Sequence, residues 1–120
     1  MNKKKFDVHE RVYRFVLRSL KLLNLVPKNQ INLIILKQAG RSIASVGAND
    51  READGVNSKA DFIHCYTVTR KELKESLFWL RILGDLNPKL KDKLINERKK
   101  GEELIKIISK IIINAKSKIR

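Results

Sequence analysis

The stretch RSIASVGANDREADG, Arg41 to Gly55, gathers residue types from which three kinds of chemistry are built. Calcium binding is the first. Asp50, Glu52, Asp54, Gly55, Ser58 and Asp61 fall at positions 1, 3, 5, 6, 9 and 12 of a loop with EF-hand spacing. The donor set then departs from what the ion needs. Glu52 stands where Asp or Asn is wanted, polar Asn57 takes an apolar position, and Asp61 is too short to chelate as the usual Glu does. No second loop accompanies it, so no metal site is expected. Nucleophilic catalysis is the second. Ser42 and Ser45 would need a base within reach, and neither His9 nor His64 shares a helix face with them. His64 and Cys65 are adjacent and point apart on a helix, so they form neither a metal pair nor a thiolate–imidazole pair. The logic of a triad is unmet. No catalytic residue, cofactor or enzyme activity is expected.

Packing is the third, and the residue types favour it. Ala39, Gly40, Ala44, Gly47 and Ala48 let a second backbone come close. Gln38, Ser42, Ser45 and Asn49 follow at 4, 3, 4 spacing along one helix, and Glu72, Glu75 and Ser76 form a matching polar patch on another. A layer of Arg41, Ser42, Ser45 and Asn49 against Glu72, Glu75 and Ser76, with Arg41 meeting Glu72 or Glu75, would hold two helices in register.

Charge is the other chemical signal. The 120 residues carry a net charge of +14, and +12 of it lies in residues 1–21 and 88–120. Such a chain repels itself and attracts polyanions, nucleic acid first. Arg11, Arg14, Arg18 and Lys21, at 3, 4, 3 spacing, form one stripe on the first helix. A guanidinium can grip phosphate through two N–H groups at once. Lys99, Lys106 and Lys110 share an exposed face of the last helix, and Glu102 and Glu103 neutralise part of it. Basic stripes are the footprint of phosphate-backbone binding, which reads no sequence by itself. A merely solvated face is the competing reading. With no zinc-finger spacing, glycine-rich phosphate loop or RNP-type aromatic motif, binding is expected to be electrostatic and weakly sequence-selective.

Four helices must position these residues: about 7–25, 29–49, 58–86 and 88–118, in one domain. Val8, Val12, Phe15, Val16, Ser19, Leu22, Leu23 and Val26 recur at helical spacing, and Pro27 stops the run. Ser58 with Asp61 three residues on resembles a capping box. Asn87-Pro88 starts the last helix. Short connections imply an all-α, up-down-up-down antiparallel bundle. The termini, Met1 to Lys5 and Lys116 to Arg120, are expected to fray. Ile107, Ile113 and the run INLIIL exceed what one bundle stripe needs, which implies self-association. The apolar runs stop well short of the ~20 residues that span a bilayer. No signal peptide is visible and Cys65 is the single cysteine, so a cytoplasmic protein is expected.

The run from Arg41 to Leu83 resembles the signature of a four-helix-bundle family, the proteins encoded by intervening sequences in bacterial large-subunit ribosomal RNA genes. The resemblance is carried by Arg41, Ser42, Ser45, Gly47, Ala48, Asn49, Glu52, Ala53, Ser58, Asp61, Phe62, Lys71, Glu72, Glu75, Ser76, Trp79 and Leu80. It implies a helical protomer that assembles into a homopentameric ring. It also implies kinship with the accessory proteins of diversity-generating retroelements, which are basic and implicated in binding nucleic acid and a reverse transcriptase. The expectation is a basic, non-catalytic homo-oligomer that binds RNA, or else DNA, through Arg11, Arg14, Arg18, Lys21, Lys99, Lys106 and Lys110. The alternative is a scaffold or accessory subunit that docks a protein such as a reverse transcriptase. A membrane is not an expected partner.

Overall fold

The computed structural model describes residues 3–117, with side chains from Val8 onward. Met1, Asn2 and residues 118–120 of the ends expected to fray lie outside the described residues. The described chain forms α1 (Lys3–Leu25), α2 (Gln30–Ala53), α3 (Lys59–Leu86) and α4 (Lys91–Ser117), with a 3-10 turn at Pro88–Leu90 before α4.

Local chemistry sets most of the boundaries. Pro27 has no N–H to give and disfavours helical backbone at Val26, so α1 ends there. The Asn29 side chain then accepts the Asn32 N–H at 2.8 Å and caps α2. Ser58 Oγ accepts the Asp61 N–H at 3.1 Å and caps α3. Asn87 closes α3 by donating its N–H to the Leu83 carbonyl at 2.9 Å. Pro88 begins the 3-10 turn, and α4 itself starts three residues beyond the expected position. α2 also departs from expectation: it runs past Asn49 to Ala53, so Asp50 and Glu52 are helical rather than part of a loop. The physical reason is that Asp50 is one more residue of the buried face formed by Ala39, Ile43 and Val46.

Neighbouring helices run antiparallel, as the residues that meet demonstrate. Val16 and Leu23 of α1 lie beside Gly47 and Gly40 of α2. Asn32 and Ser42 of α2 bond Asn87 and Ser76 at the α3 side. Leu77 and Gly84 of α3 lie beside Gly101 and Leu94 of α4. Phe15 and Arg18 of α1 meet Gly101 and Glu97 of α4. Among the described residues each helix lies alongside two neighbours, and the diagonally opposite helices are not adjacent. The result is a bundle of 50 × 23 × 19 Å. Val12, Phe15, Ile43, Val46, Leu73, Leu80, Leu83, Leu94 and Ile108 fill its centre, each removed almost wholly from water. Burial of one such side chain is worth about 1.5–3 kcal/mol before entropy is counted.

Of the five glycines, Gly101 leaves the least room for a side chain. A Cβ there would collide with the Leu77 side chain and stand 3.1 Å from Phe15 Cε1. At Gly40 the nearest atom to a Cβ would be Leu23 Cδ1 at 3.9 Å. The two glycines therefore respond oppositely to alanine. Gly101→Ala is expected to cost about 1–3 kcal/mol through overpacking. Gly40→Ala is expected to gain up to about 1 kcal/mol from helix propensity. Urea unfolding of the two variants beside the wild type checks both signs.

Candidate nucleic-acid interface

The arginine stripe of α1 faces α4 across a cleft of about 240 Å³, lined by Arg11, Arg14, Arg18, Lys100, Glu103 and Leu104. The four α1 cations do not have one role. Arg18 turns inward, and its Nε donates to both carboxylate oxygens of Glu97 at 3.0 and 3.1 Å. The Glu97 side chain is only 4% exposed and that of Arg18 38%, so this pair closes the α1–α4 seam. Arg14 Nε donates to Glu10 at 3.0 Å on its own helix turn, an exposed i,i+4 pair that solvent competes with readily. Arg11 and Lys21 are exposed. On α4, Lys99, Lys106 and Lys110 are exposed but do not line the cleft. The α4 lysine beside the arginines is Lys100, one residue and thus about 100° from Lys99. Sequence spacing alone did not single it out.

The polar layer assigned to the α2–α3 seam is also divided. Ser42 and Ser76 do meet, Oγ to Oγ at 2.9 Å, buried between the helices. Ser42 donates to the Ala39 carbonyl at 3.1 Å, so the single Ser76 proton is shared between the Ser42 hydroxyl and the Glu72 carbonyl, which lies 2.8 Å away. The other members bond within their own helices. Arg41 donates to Gln38 and not to Glu72 or Glu75. Asn49 donates to the Ser45 carbonyl at 2.9 Å. Glu75 accepts from Trp79 Nε1 at 3.3 Å. The reason is position: Arg41, Ser45, Glu72 and Glu75 lie on the outer rim of the seam, exposed or half-buried, where i,i+3 and i,i+4 partners are nearer than the facing helix.

A family model described as 23S rRNA-intervening sequence protein matches residues 4–110. The chain belongs to that family. A solved Bacteroides thetaiotaomicron protein of unknown function, from the S23 ribosomal protein family, superposes with a TM-score of 0.82 at 29% identity, over 91% of this chain and 97% of that one. No curated protein matches the chain. The intervening-sequence match takes in the cleft residues of both α1 and α4.

In this family member two further polar groups tie the helices, and sequence reading passed over both. Near the start of α1, His9 Nδ1 lies 3.1 and 3.0 Å from the two Asp50 oxygens and its Nε2 3.1 Å from Asp54 Oδ1. The Tyr66 hydroxyl donates to Asp50 at 2.9 Å, so one buried carboxylate joins α1, α2 and α3. Burial pushes the Tyr66 hydroxyl well above the usual phenol range, and the Asp50 charge and hydrogen bond add to the effect. At the other end Asn32 and Asn87 exchange amide hydrogen bonds at 2.9 and 3.0 Å. A signal for Asp50 was present: it continues Ala39, Ile43 and Val46 at 4, 3, 4 spacing, and an acid on a buried stripe requires donors. Cys65 is buried, and its thiol is raised by that burial and by the Glu52 and Asp61 charges.

Two outcomes test these assignments. Arg18→Gln is expected to cost about 1–3 kcal/mol in urea unfolding, because Glu97 would stay buried without its charge-assisted donor. Tyr66→Phe is expected to cost a similar ~1–3 kcal/mol at neutral pH. A phenol held neutral by the fold stabilises fully below the unfolded-state value of about 10, and this contribution is lost as pH rises above it. The wild type should therefore lose stability above about pH 10 more steeply than Tyr66→Phe. Denaturant midpoints across that pH range check the sign.

Proposed function

We propose that the chain is a non-catalytic, self-associating protein that binds the phosphates of nucleic acid, RNA above DNA, along its α1–α4 face. The observation that carries this reading is the cleft where Arg11, Arg14 and Lys100 converge while Arg18 is held below them by Glu97. Charge distribution supports it. Helices α1 and α4 hold fifteen Lys and Arg against six acids, and α2 and α3 eight against six. The polyanion is therefore drawn to one side of the bundle. The mechanism is neutralisation of phosphate charge with release of counterions, and its strength depends steeply on salt. Repetition of the face around a homo-oligomer, a pentameric ring by family resemblance, would add weak contacts into useful affinity. The family description names 23S rRNA intervening sequences, which makes a structured ribosomal RNA fragment the first probe. Among the described residues no helix is long and apolar enough to cross a membrane, and the lone buried Cys65 suits a reducing cytoplasm.

A second reading is an accessory subunit that docks a protein such as a reverse transcriptase. The exposed Tyr13, Ile31, Ile34 and Phe78 side chains favour some protein contact. Salt separates the two readings, because an apolar complex survives conditions that strip phosphate contacts.

The test is a titration of the RNA fragment at several salt concentrations. Replacement of Arg11, Arg14 and Lys100 by Gln is expected to weaken binding to every sequence and to lower the salt slope by about 3 per protomer engaged. Replacement of Lys99, Lys106 and Lys110 by Gln is expected to have the smaller effect. Equal effects from both triples would remove the cleft as the site. No binding at low salt would remove the reading.

A further inference from the structure

The α3–α4 seam carries a charge arrangement that the α1–α4 cleft does not absorb. Arg70 of α3 donates to the Ser109 hydroxyl of α4 at 3.2 Å, and both residues are half-buried. Arg81 follows Arg70 by eleven residues, and Arg98 precedes Ser109 by eleven. Eleven residues are three helical turns, roughly 16 Å, so each arginine returns to the same face of its helix. The helices are antiparallel, so Arg81 and Arg98 stand to each other as Arg70 and Ser109 do. The buried side fixes their level. Leu77 lies beside Gly101 and Gly84 beside Leu94, and Arg81 and Arg98 fall midway between those two contacts.

At the first position a guanidinium meets a neutral hydroxyl. At the second the register sets one guanidinium opposite another. Arg98 is half-buried, and its Nε, shut off from solvent, has no acceptor among the described residues. A buried N–H without an acceptor is costly, and a guanidinium keeps its charge in a protein, so proton loss cannot relieve the repulsion. The nearby carboxylates do not answer it. Asp85, one turn beyond Arg81, pairs with Lys91 at 3.2 Å. Glu97, next to Arg98, is held by Arg18 on the α1 side. Glu102, one turn beyond Arg98, is exposed, and among the described residues it bonds neither arginine. The charges of α3 are sorted in the same sense. Glu72 and Glu75 lie on its α2 rim, whereas Arg70 and Arg81 lie toward α4, with exposed Lys74 between them.

We propose that Arg81 and Arg98 form an oxyanion site on the α3–α4 seam that takes a phosphate group, with the Arg98 Nε–H as its inner donor. A phosphate presents enough oxygens to accept from both guanidiniums at once, and charge-assisted bonds of this kind are short and strong. It neutralises the two facing charges and gives the buried N–H its acceptor. The site is separate from the α1–α4 cleft, because Arg98 leaves α4 about 100° from Glu97, which faces α1. It therefore does not rest on the proposed function. The phosphate belongs either to a nucleic-acid backbone or to free phosphate, and the experiment separates these sources.

The experiment follows the arginine Nε–H resonances of the full chain by NMR while inorganic phosphate replaces chloride at fixed ionic strength. Arg98→Lys assigns the Arg98 peak by its loss, and circular dichroism confirms that each variant folds. Phosphate is expected to move the Arg98 peak along a saturable curve. Arg81→Gln is expected to weaken that response about tenfold or more, since it removes charge-assisted bonds to the ligand. Arg70→Gln, the equivalent position three turns away, is expected to leave it unchanged. Thermal unfolding supplies a second readout. In chloride Arg81→Gln should melt no lower than the wild type, because one of two facing charges is gone, and phosphate should raise the wild type more than the variant. An Arg98 peak that stays still, that moves equally with acetate, or that moves as strongly in Arg81→Gln overturns the proposal. So does an equal gain in melting temperature for both proteins. A short RNA in place of phosphate then names the source. The same shift with RNA assigns the site to backbone phosphate, a shift with inorganic phosphate alone assigns it to free phosphate, and either upholds the site. Binding at the α1–α4 cleft is scored by its own variants and is not decided by these results.

Discussion

A carboxylate taken out of water must be met by a cation or by several donors. Glu97 is such a group, on the face of α4 that packs toward α1. Arg18 answers it and is thereby drawn out of the basic stripe to which its spacing assigns it. Much of the α1–α4 side follows. The pair seals the seam just beside Gly101, where a Cβ would meet Leu77 and Phe15. It leaves Arg11 and Arg14 above a shallow cleft whose far wall supplies Lys100. One buried acid thus divides a uniform row of cations into a structural anchor and a surface.

The α2–α3 seam obeys the same rule with one carboxylate, Asp50, and otherwise uncharged groups. Polar contacts occur at both ends and in the middle: Asp50 with Tyr66 and His9, Ser42 with Ser76, and Asn32 with Asn87. Each can be satisfied only in one register, because sliding one helix along another would strand a buried donor or acceptor at a cost of about 1–3 kcal/mol. Apolar packing tolerates modest rearrangement far better. The leucines and isoleucines therefore supply most of the driving force, and the few polar contacts select the alignment.

The charge is arranged at right angles to this logic. Two adjacent helices carry almost all of the excess cations and the other two are close to neutral. The positive potential of such a bundle is concentrated on its α1–α4 side. Large exposed apolar side chains occur on both sides, Tyr13 and Ile113 on the cationic helices and Ile31, Ile34 and Phe78 on the others, and none of them lines the cleft. The family signature residues Arg41, Ser45, Glu75 and Trp79 line the outer rim of the neutral side and bond within their own helices, so their polarity serves a surface more than a core.

What the sequence alone determined were the properties that depend on neighbours a few residues away. The apolar periodicity placed the buried face of α1, from Val8 to Val26. Pro27, Asn29, Ser58 and Pro88 punctuated the helices because their effects act within one turn. The tertiary structure decided whatever needed a partner from another helix. It extended α2 through Asp50, since the groups that donate to that acid inside the bundle, Tyr66 and His9, are 16 and 41 residues away. It withdrew Arg18 for Glu97, 79 residues on, and put Lys100 rather than Lys99 beside Arg11 and Arg14. Periodicity gives the direction in which a side chain leaves its helix. Which charge waits there is settled only when the helices have packed.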